Sequence, residues 1–321
     1  MRPEMVAEAP LGTLSAAFER SGTPAWVMRV IQGGALDLAE GFRLDLELTS
    51  DSYQGSQQAT AEHLISGEVD LIDADWISIA RLRDRGYSVS AFHPYGRIMG
   101  GLVVIAERLP AGLEDLAGTR IAVVHRFDKT WLLLRAFAVE LGLPDPAGSV
   151  ELIETGSKHE SLALLRAGEV DGAVLFWNLA ATLTADPRFA FVFDALDAIE
   201  SLTGAPLPTS FFVATDERLH RHPERFQAFA RAFDRAVLAM REDASLWRRG
   251  AGHAAINGEA EPLRDAWLRR IGLDWPDRLA HRLAHCTRIL ESRLAADALD
   301  LGSLPESIFS PVFLTPDDTE A

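Results

Sequence analysis

The chain has 321 residues and a formal net charge of −16 at pH 7, which excludes nucleic acid and anionic membrane surfaces as partners held by general electrostatic attraction. Its 48% hydrophobic and 24% charged residues are typical of a globular protein, and its length predicts about two domains. The single cysteine, Cys286, excludes an intramolecular disulfide and, within a helical run, is interpreted as a packed free thiol.

The sequence carries no recognisable membrane or export segment. No run of about eighteen apolar residues occurs, so no membrane-spanning helix is predicted. Residues 1–10 lack the apolar stretch of a signal peptide. We therefore expect either a mature chain with an added or reassigned start or a protein that stays in the cytoplasm.

Strand and helix patterns alternate along most of the chain, which predicts an α/β protein with mainly parallel sheets flanked by helices. The predicted strands are 11–18, 43–48, 71–73, 88–92, 101–106, 121–124, 150–154, 173–176, 189–193 and 209–214. The predicted helices are 24–32, 56–66, 76–85, 129–141, 160–167, 178–184 and a long amphipathic helix, 222–240, in a helical C-terminal part. The strands at 88–92 and 101–106 are expected to complete a first lobe.

The tetrapeptide Gly-Glu-Val-Asp occurs twice, at 67–70 and 168–171, and a tryptophan follows each copy six residues later, Trp76 and Trp177. The pattern predicts a helix that stops at a glycine, a tight turn and a buried strand that ends at an aromatic side chain. The copies are 101 residues apart, which is too long for a solenoid repeat. The repeat favours two similar lobes with a ligand cleft between their strand ends.

Segments in a characteristic order resemble the substrate-binding proteins of bacterial ABC importers of the nitrate/sulfonate/taurine type, which share their fold with proteins that bind the thiamine pyrimidine precursor. The segments are 64–75, 75–77, 99–104, 113–124, 128–131 and 165–177, and the likeness covers residues 11–240. The resemblance implies a periplasmic-binding-protein type II fold with two lobes that close about a hinge. It also implies a periplasmic monomer that needs no cofactor and contacts an ABC permease transiently.

The same resemblance implies the domain boundaries. The first lobe would hold residues 1–103 and 208–321, the second lobe residues 104–207, with the hinge near 97–104 and 207–212.

The resemblance and the residues together predict the ligand-binding groups. Asp73 and Asp75 follow a buried strand on the same side and are able to hold an amine or a heterocyclic N–H, although Asp75 is equally able to cap the next helix. Acidic residues here replace the small polar residues of sulfonate binders, which argues against an anionic ligand. Trp76 and Trp177 are predicted to be two walls for a flat ligand, or else core residues.

A second group of candidates lies at the start of the helix predicted at 129–141. Asp128, Lys129 and Thr130 are suited to binding an anion or simply to capping that helix, and His125 and Arg126 would make the rim cationic together with Lys129. The candidate ligand-binding set also contains Arg20, Ser52, Gln57, Arg97, Gly100 and Asn178. Arg97 and Gly100 lie near the crossing between the lobes and either contact the ligand or serve the bend.

The common catalytic motifs of serine hydrolases, phosphate-binding loops, zinc proteases and dithiol enzymes are missing from the sequence. Asp-x-Asp alone is too poor in oxygen ligands to predict a metal site. The leading hypothesis is therefore a solute-binding protein that delivers a small polar organic ligand, such as a zwitterion or an amine-bearing heterocycle, to an ABC importer. The alternative is a cytoplasmic enzyme or ligand sensor on the same fold, of the thiamine-pyrimidine or menaquinone-precursor type.

Overall fold

A computed structural model describes residues 9–50, 53–54, 57–108, 112–255, 260–302 and 307–311, and gives only the backbone at positions 53, 54, 57, 58, 253 and 255. The strands are β1 (Thr13–Glu19), β2 (Arg43–Thr49), β3 (Tyr53–Gln54), β4 (Gln57–Gln58), β5 (Leu71–Asp75), β6 (Val89–Gly96), β7 (Gly101–Ile105), β8 (Arg120–Val123), β9 (Glu151–Glu154), β10 (Gly172–Leu175), β11 (Phe189–Asp194) and β12 (Ser210–Thr215). The helices are α1 (Thr23–Gly33), α2 (Leu36–Ala39), α3 (Ala59–Ile65), α4 (Trp76–Asp84), α5 (Lys129–Glu140), α6 (Lys158–Ala167), α7 (Trp177–Leu183), α8 (Ala195–Thr203), α9 (Asp216–Arg221), α10 (Pro223–Glu242), α11 (Ala244–Ala251), α12 (Ala260–Arg270) and α13 (Leu279–Arg293).

Two five-stranded sheets organise the molecule. The first has the order β2-β1-β5-β12-β6 and the second β11-β7-β10-β8-β9, and we call the parts built on them the first and the second lobe. The predicted fold class, two α/β lobes with flanking helices, is confirmed. Each sheet is more mixed than expected, with two parallel and two antiparallel pairings, because one strand of each sheet enters from the other lobe.

The prediction that residues 101–106 end the first lobe is wrong. β7 pairs antiparallel with both β10 and β11 and so lies inside the second sheet. Its residues are apolar on both faces, so the sequence shows a buried strand but not which sheet holds it. The chain crosses between the sheets at 97–100 and 195–209, while the domain boundaries and the hinge stay predictions.

The Gly-Glu-Val-Asp repeat marks the same turn in both lobes. Gly67 and Gly168 have φ values of 82° and 70°, in the left-handed region where glycine is favoured. Each glycine lies shortly before a strand, Gly67 before β5 and Gly168 before β10. An arginine side chain donates to the carbonyl oxygen of each glycine, Arg218 to Gly67 (2.9 Å) and Arg108 to Gly168 (3.0 Å). The glycines are therefore fixed by backbone geometry rather than by a ligand.

The aspartates of the repeat join neighbouring strands. Asp70 Oδ2 accepts the backbone N–H of Ser15 at 2.8 Å, and Asp171 Oδ2 accepts the backbone N–H of Arg120 at 2.9 Å. Each carboxylate thus ties the start of one parallel strand to the next, β1 to β5 and β8 to β10. The sequence repeat thus reflects the same strand-to-strand contact in both lobes, and the candidate ligand-binding residues follow it in the chain.

The C-terminal part contacts both lobes. The predicted amphipathic helix is confirmed as α10, whose Phe226, Phe229 and Phe233 are fully buried in the first-lobe core. α12 packs against α7, and α13 packs against α5 and α8, all of the second lobe. Phe309 bridges to Ala91 at the edge of the first sheet. The C-terminal helices therefore hold the two lobes together at their backs.

Candidate functional site: a cleft between the lobes

A cleft lies where the N-termini of four helices meet between the lobes. α1 and α4 follow β1 and β5 of the first lobe, and α5 and α7 follow β8 and β10 of the second. Parallel strands of an α/β sheet present their carboxyl ends, and hence the following helix N-termini, at one edge, which is where ligands bind. The cleft has two halves with about 470 and 510 Å³ of empty space, part of it open to solvent.

We name the halves by their elements. The α5 half is lined by Ser78, Arg81, Gly100, His125, Asp128 and Thr130, among others. The β1 half is lined by Glu19, Thr23, Asp73, Lys158, Asn178 and Ser210, among others. Asp75, Lys129, Phe176 and Trp177 line both halves, so the two spaces are parts of one cleft.

Two ion pairs cross the cleft. Lys158 Nζ of α6 lies 2.7 Å from Glu19 Oε2 of β1, with 3% and 6% of the two side chains exposed. Lys129 Nζ of α5 lies 3.7 Å from Asp75 Oδ2 of β5. The Lys158 ammonium also lies 4.9 Å from the centre of the Phe176 ring. Desolvated charges are tolerated only with partners, and each of these pairs joins a residue of one lobe to a residue of the other.

Asp75 is the N-cap of α4, as the alternative reading of the sequence expected. Its Oδ1 accepts the backbone N–H groups of Ile77 and Ser78, both at 3.0 Å, and its Oδ2 accepts the Ser78 hydroxyl at 2.8 Å. Burial acts to raise its pKa, but the charges of Lys129 and Arg81 and the Ser78 hydrogen bonds outweigh burial and hold the pKa below its ordinary value. Asp75 is therefore ionised and already supplied with donors.

Asp73 is in a different electrostatic situation, although it lies on the same strand. Burial, reinforced by the negative charge of Glu19, raises the pKa of Asp73 to about 7, against the opposing effects of Lys129 and Lys158. Burial and the Asp73 charge also raise the pKa of Tyr95 well above its ordinary value, and the Tyr95 hydroxyl shares a hydrogen bond with the Thr23 hydroxyl. The β1 half thus contains a carboxyl group that is partly protonated at neutral pH.

Sequence reasoning missed Glu19 and Lys158. Among the described residues, the buried Oε1 atom of Glu19 has no hydrogen-bond partner, while Oε2 is taken by Lys158. A charged residue next to a predicted loop is usually solvated, so neither was singled out. The available signal was position: Glu19 is the last residue of β1, at the carboxyl edge where ligands bind.

The start of α5 combines capping with cleft lining. Asp128 Oδ1 accepts the backbone N–H of Thr130 at 2.8 Å and of Trp131 at 3.3 Å. Lys129 lines both halves of the cleft. Asp128 therefore caps α5, and Lys129 is the charged group that α5 contributes to the cleft.

The predicted cationic rim of the second lobe is reduced to Lys129. Burial and, to a smaller extent, the positive charge of Arg81 lower the pKa of His125, although Asp128 opposes them, so the imidazole is neutral at pH 7. Arg126 is exposed and forms an ion pair with Glu154, with Nε 2.7 Å from Glu154 Oε1. Its charge is thus directed to the neighbouring strand β9 and not to the cleft.

The structure does not bring the two repeated tryptophans together. Trp76 is 2% exposed, and its indole Nε1 donates to the Thr287 hydroxyl of α13 at 3.1 Å, within the core. Trp177 is also 2% exposed and packs edge-on to Trp26 of α1 (5.8 Å between centroids), with the Arg270 guanidinium 5.7 Å from its ring, but it borders both halves of the cleft. The repeat is thus asymmetric, because α13 covers the face of α4 that carries Trp76.

Of the remaining candidates, Gly100 and Asn178 line the cleft, in the α5 half and the β1 half respectively. A Cβ atom at Gly100 would clash with the Leu175 carbonyl oxygen, so close packing of backbone requires this glycine. Arg97 donates its backbone N–H to the Arg270 carbonyl and is not among the residues that line either half. Arg20 is exposed and donates to the Leu48 carbonyl at 3.2 Å.

Two candidates lie outside what the structure describes: Ser52 entirely, and Gln57 in its side chain. Within the described ranges, no group of three or more His, Cys, Asp or Glu side chains is arranged to hold a metal ion. In the same ranges, no helix is long and apolar enough to cross a membrane.

Comparison with known protein families decides the relationship. The family model described as NMT1/THI5 like matches residues 43–245, more than half of the chain. The chain belongs to this family. The family resemblance inferred from the sequence motifs is thereby confirmed. A comparison with curated proteins found no match.

Solved structures show the same fold over almost the whole chain. The periplasmic aliphatic sulphonate binding protein SsuA from Escherichia coli has a TM-score of 0.72 at 14% identity, with 94% of this chain and 99% of that chain covered. The alkanesulfonate-binding protein SsuA from Xanthomonas axonopodis pv. citri, bound to MOPS, has a TM-score of 0.66 at 16% identity, covering 94% and 97%. A Candida albicans gene product with the generic periplasmic binding protein fold has a TM-score of 0.62 at 14% identity, covering 92% and 93%. At these identities the likeness shows the fold alone.

Proposed function

We propose that this member of the NMT1/THI5-like family is a solute-binding protein that closes its lobes around a small polar organic molecule and delivers it to an ABC permease. The observation that carries the proposal is the cleft itself, which is lined by charged side chains of both lobes and spanned by the Lys158–Glu19 and Lys129–Asp75 pairs. A ligand in this position contacts both lobes at once. We further propose that the protein acts as a monomer in the periplasm.

The size and lining of the cleft support a small ligand. The two halves are small and partly open to solvent, so the cleft has room for a compact molecule only. Polar groups converge on the space from both sides, while Phe176 supplies a partly exposed ring and the largely buried Trp177 borders the same space. This combination suits a compact polar molecule with a flat or short apolar part.

The chain connections support opening and closing of the lobes. Only the segments 97–100 and 195–209 connect the two sheets along the chain, and a few residues at element ends are sufficient to absorb a hinge rotation. Opening would separate Lys158 from Glu19 and return both charges to water. A ligand favours the closed state to the extent that it binds that state more tightly.

Small-angle scattering and thermal denaturation test this proposal together. We would screen taurine, alkyl sulfonates, nitrate, pyrimidines and small amines for a rise in melting temperature, which native-state binding produces by linkage. The compound that stabilises most should also reduce the radius of gyration. An unchanged radius at saturating ligand would refute hinge closure, and the absence of any stabilising compound would refute solute binding.

The alternative is a cytoplasmic enzyme or sensor on the same fold, which the family description, NMT1/THI5 like, leaves open. The two proposals differ in the fate of the bound solute. A binding protein returns its ligand chemically unchanged after prolonged incubation and denaturation, and mass spectrometry of the released ligand measures this directly. Recovery of a converted product would favour the enzyme, and permease and ATPase genes beside the coding region would favour transport.

A further inference from the structure

The β1 half of the cleft contains more acidic than basic groups. Glu19, Asp73 and Asp75 face only two ammonium groups, those of Lys129 and Lys158, among the residues that line it. The N-terminus of α1 adds roughly half a positive charge at Thr23, and partial protonation of Asp73 relieves the rest of the excess when no cation is bound. An additional cation is therefore the charge that this half of the cleft would accommodate best.

The hydrogen-bond inventory points to the same place. Glu19 is 5% exposed, and its Oε1 has no donor within the described part of the chain. A buried oxygen without a donor costs free energy, so such atoms usually mark a missing water, ion or ligand. Asp75 is saturated by the α4 cap and by Lys129, so it does not serve as the free acceptor that the sequence suggested.

We propose that Glu19 and Asp73 form a cation subsite in the β1 half, where an ammonium, amidinium or protonated amino-heterocycle of the ligand donates to Glu19 Oε1 and to the Asp73 carboxylate. This inference rests on the proposed binding function and names the ligand's charged group. Lys158 holds the other oxygen of Glu19 and so fixes the carboxylate for the ligand. Glu19 and Asp73 act as specificity-determining residues in this scheme.

The competing explanation is that Glu19 serves only to pair with Lys158 and close the lobes. The two explanations differ in one property that does not require the natural ligand. A subsite distinguishes a cation from a neutral or anionic molecule of the same shape, whereas a closing ion pair does not. Benzamidine, benzamide and benzoate are a suitable probe set, since they share one flat skeleton and differ in charge.

We would titrate the full chain with these three probes by calorimetry and thermal denaturation, and repeat the series with propylammonium, propanol and propanesulfonate. A charged hydrogen bond contributes about 1.5–3 kcal/mol, so each cation should bind roughly tenfold to hundredfold more tightly than its neutral analogue. The anions should bind most weakly. Equal or tighter binding of the neutral or anionic analogues, or no binding of either cation, overturns the subsite.

Isosteric variants locate the effect. Asp73→Asn keeps the Glu19–Lys158 pair, and the double variant Glu19→Gln with Lys158→Met removes that pair without leaving a lone buried charge. Both should reduce the preference for the cation to within about threefold of the neutral analogue, as expected when little of the charged contribution remains. Asp45→Asn, an exposed change on β2, removes one charge away from the cleft and should leave the preference unchanged.

Failure of the subsite is distinguishable from failure of the binding function. If a compound from the broader solute screen closes the lobes while neither cation binds, solute binding stands and the cation subsite is overturned. If no compound binds at all, the binding function itself fails.

Discussion

Replacement of Asp73 by asparagine tests the electrostatics of the cleft directly. In the folded protein the pKa of Asp73 is raised to about 7, from an ordinary value of 3.8, mainly by burial and by the charge of Glu19. One pKa unit corresponds to about 1.4 kcal/mol, so ionised Asp73 costs the folded state about 4 kcal/mol relative to the unfolded chain. The asparagine side chain of the variant does not ionise and avoids this cost.

The sign of the pH dependence follows from proton binding. Between about pH 4 and pH 7 the folded state keeps a proton on Asp73 that the unfolded chain has lost, so the free energy of unfolding falls as pH rises. The wild type loses about 1.4 kcal/mol per pH unit in this window relative to Asp73→Asn, and the difference levels off above pH 7. From pH 5 to pH 8 the advantage of the variant should grow by about 2.5 kcal/mol.

Urea denaturation of both proteins at pH 5 and pH 8 measures this growth. Asp45→Asn is the matched control, because it removes one carboxylate from an exposed position on β2. If the stability difference between Asp73→Asn and wild type is the same at both pH values, the carboxyl is not held in a protonated, buried state. The carboxyl groups of the β1 half would then not raise each other's pKa as proposed.

Four further substitutions test contacts beside the cleft and in the Gly-Glu-Val-Asp repeat. Arg270→Met removes a buried guanidinium that donates to the Met99 carbonyl and should lower the free energy of unfolding by about 3 kcal/mol or more. The control Arg269→Met changes an exposed neighbour and should cost less than about 0.5 kcal/mol. Equal costs would contradict a structural role for Arg270. Asp171→Ala and Asp70→Ala should each lower the free energy of unfolding by about 1–3 kcal/mol in urea denaturation, because each leaves a strand N–H without its acceptor. Wild-type stability in both variants would contradict a structural role for the repeated aspartates. Trp177→Ala should weaken ligand binding by about 1–3 kcal/mol in calorimetry, and unchanged affinity with the fold intact would make this side chain a core residue only.

Much of the fold was predictable because its signals are local. The glycine at the end of each repeat, Gly67 and Gly168, needs a left-handed conformation that few other residues adopt easily, so the helix ends were visible in the sequence. The apolar periodicity of α10 likewise requires only neighbouring residues. The assignment of β7 to the second sheet depends on pairing with residues some 70–90 positions away, and no local pattern records it.

The candidate site was predicted in place but only partly in its residues. Lys129 and Trp177 lie at the cleft as expected from the helix starts, since helix N-termini gather at the strand ends. Trp76 was misleading because burial of its indole is decided by α13, more than 200 residues later in the chain. Glu19 was missed because it pairs with Lys158, a residue of the other lobe that lies 139 positions later in the chain.

The fold is shared with proteins whose structures are those of sulfonate binders, yet the cation subsite proposed for this chain would disfavour a sulfonate. A sulfonate in the β1 half would lie beside Glu19 and Asp73, and two like charges about 4 Å apart repel by about 4 kcal/mol at the effective dielectric constant near a protein surface. Protonation of Asp73 relieves one of the two repulsions, and the charge of Lys158 offsets only part of the other. Selectivity is a difference of affinities, so buried carboxylates that reject anions define the ligand class as much as the contacts that hold a cation do. In the proposed scheme the common fold supplies the two lobes, while the residues at the ends of β1 and β5 would set which ligand class is bound.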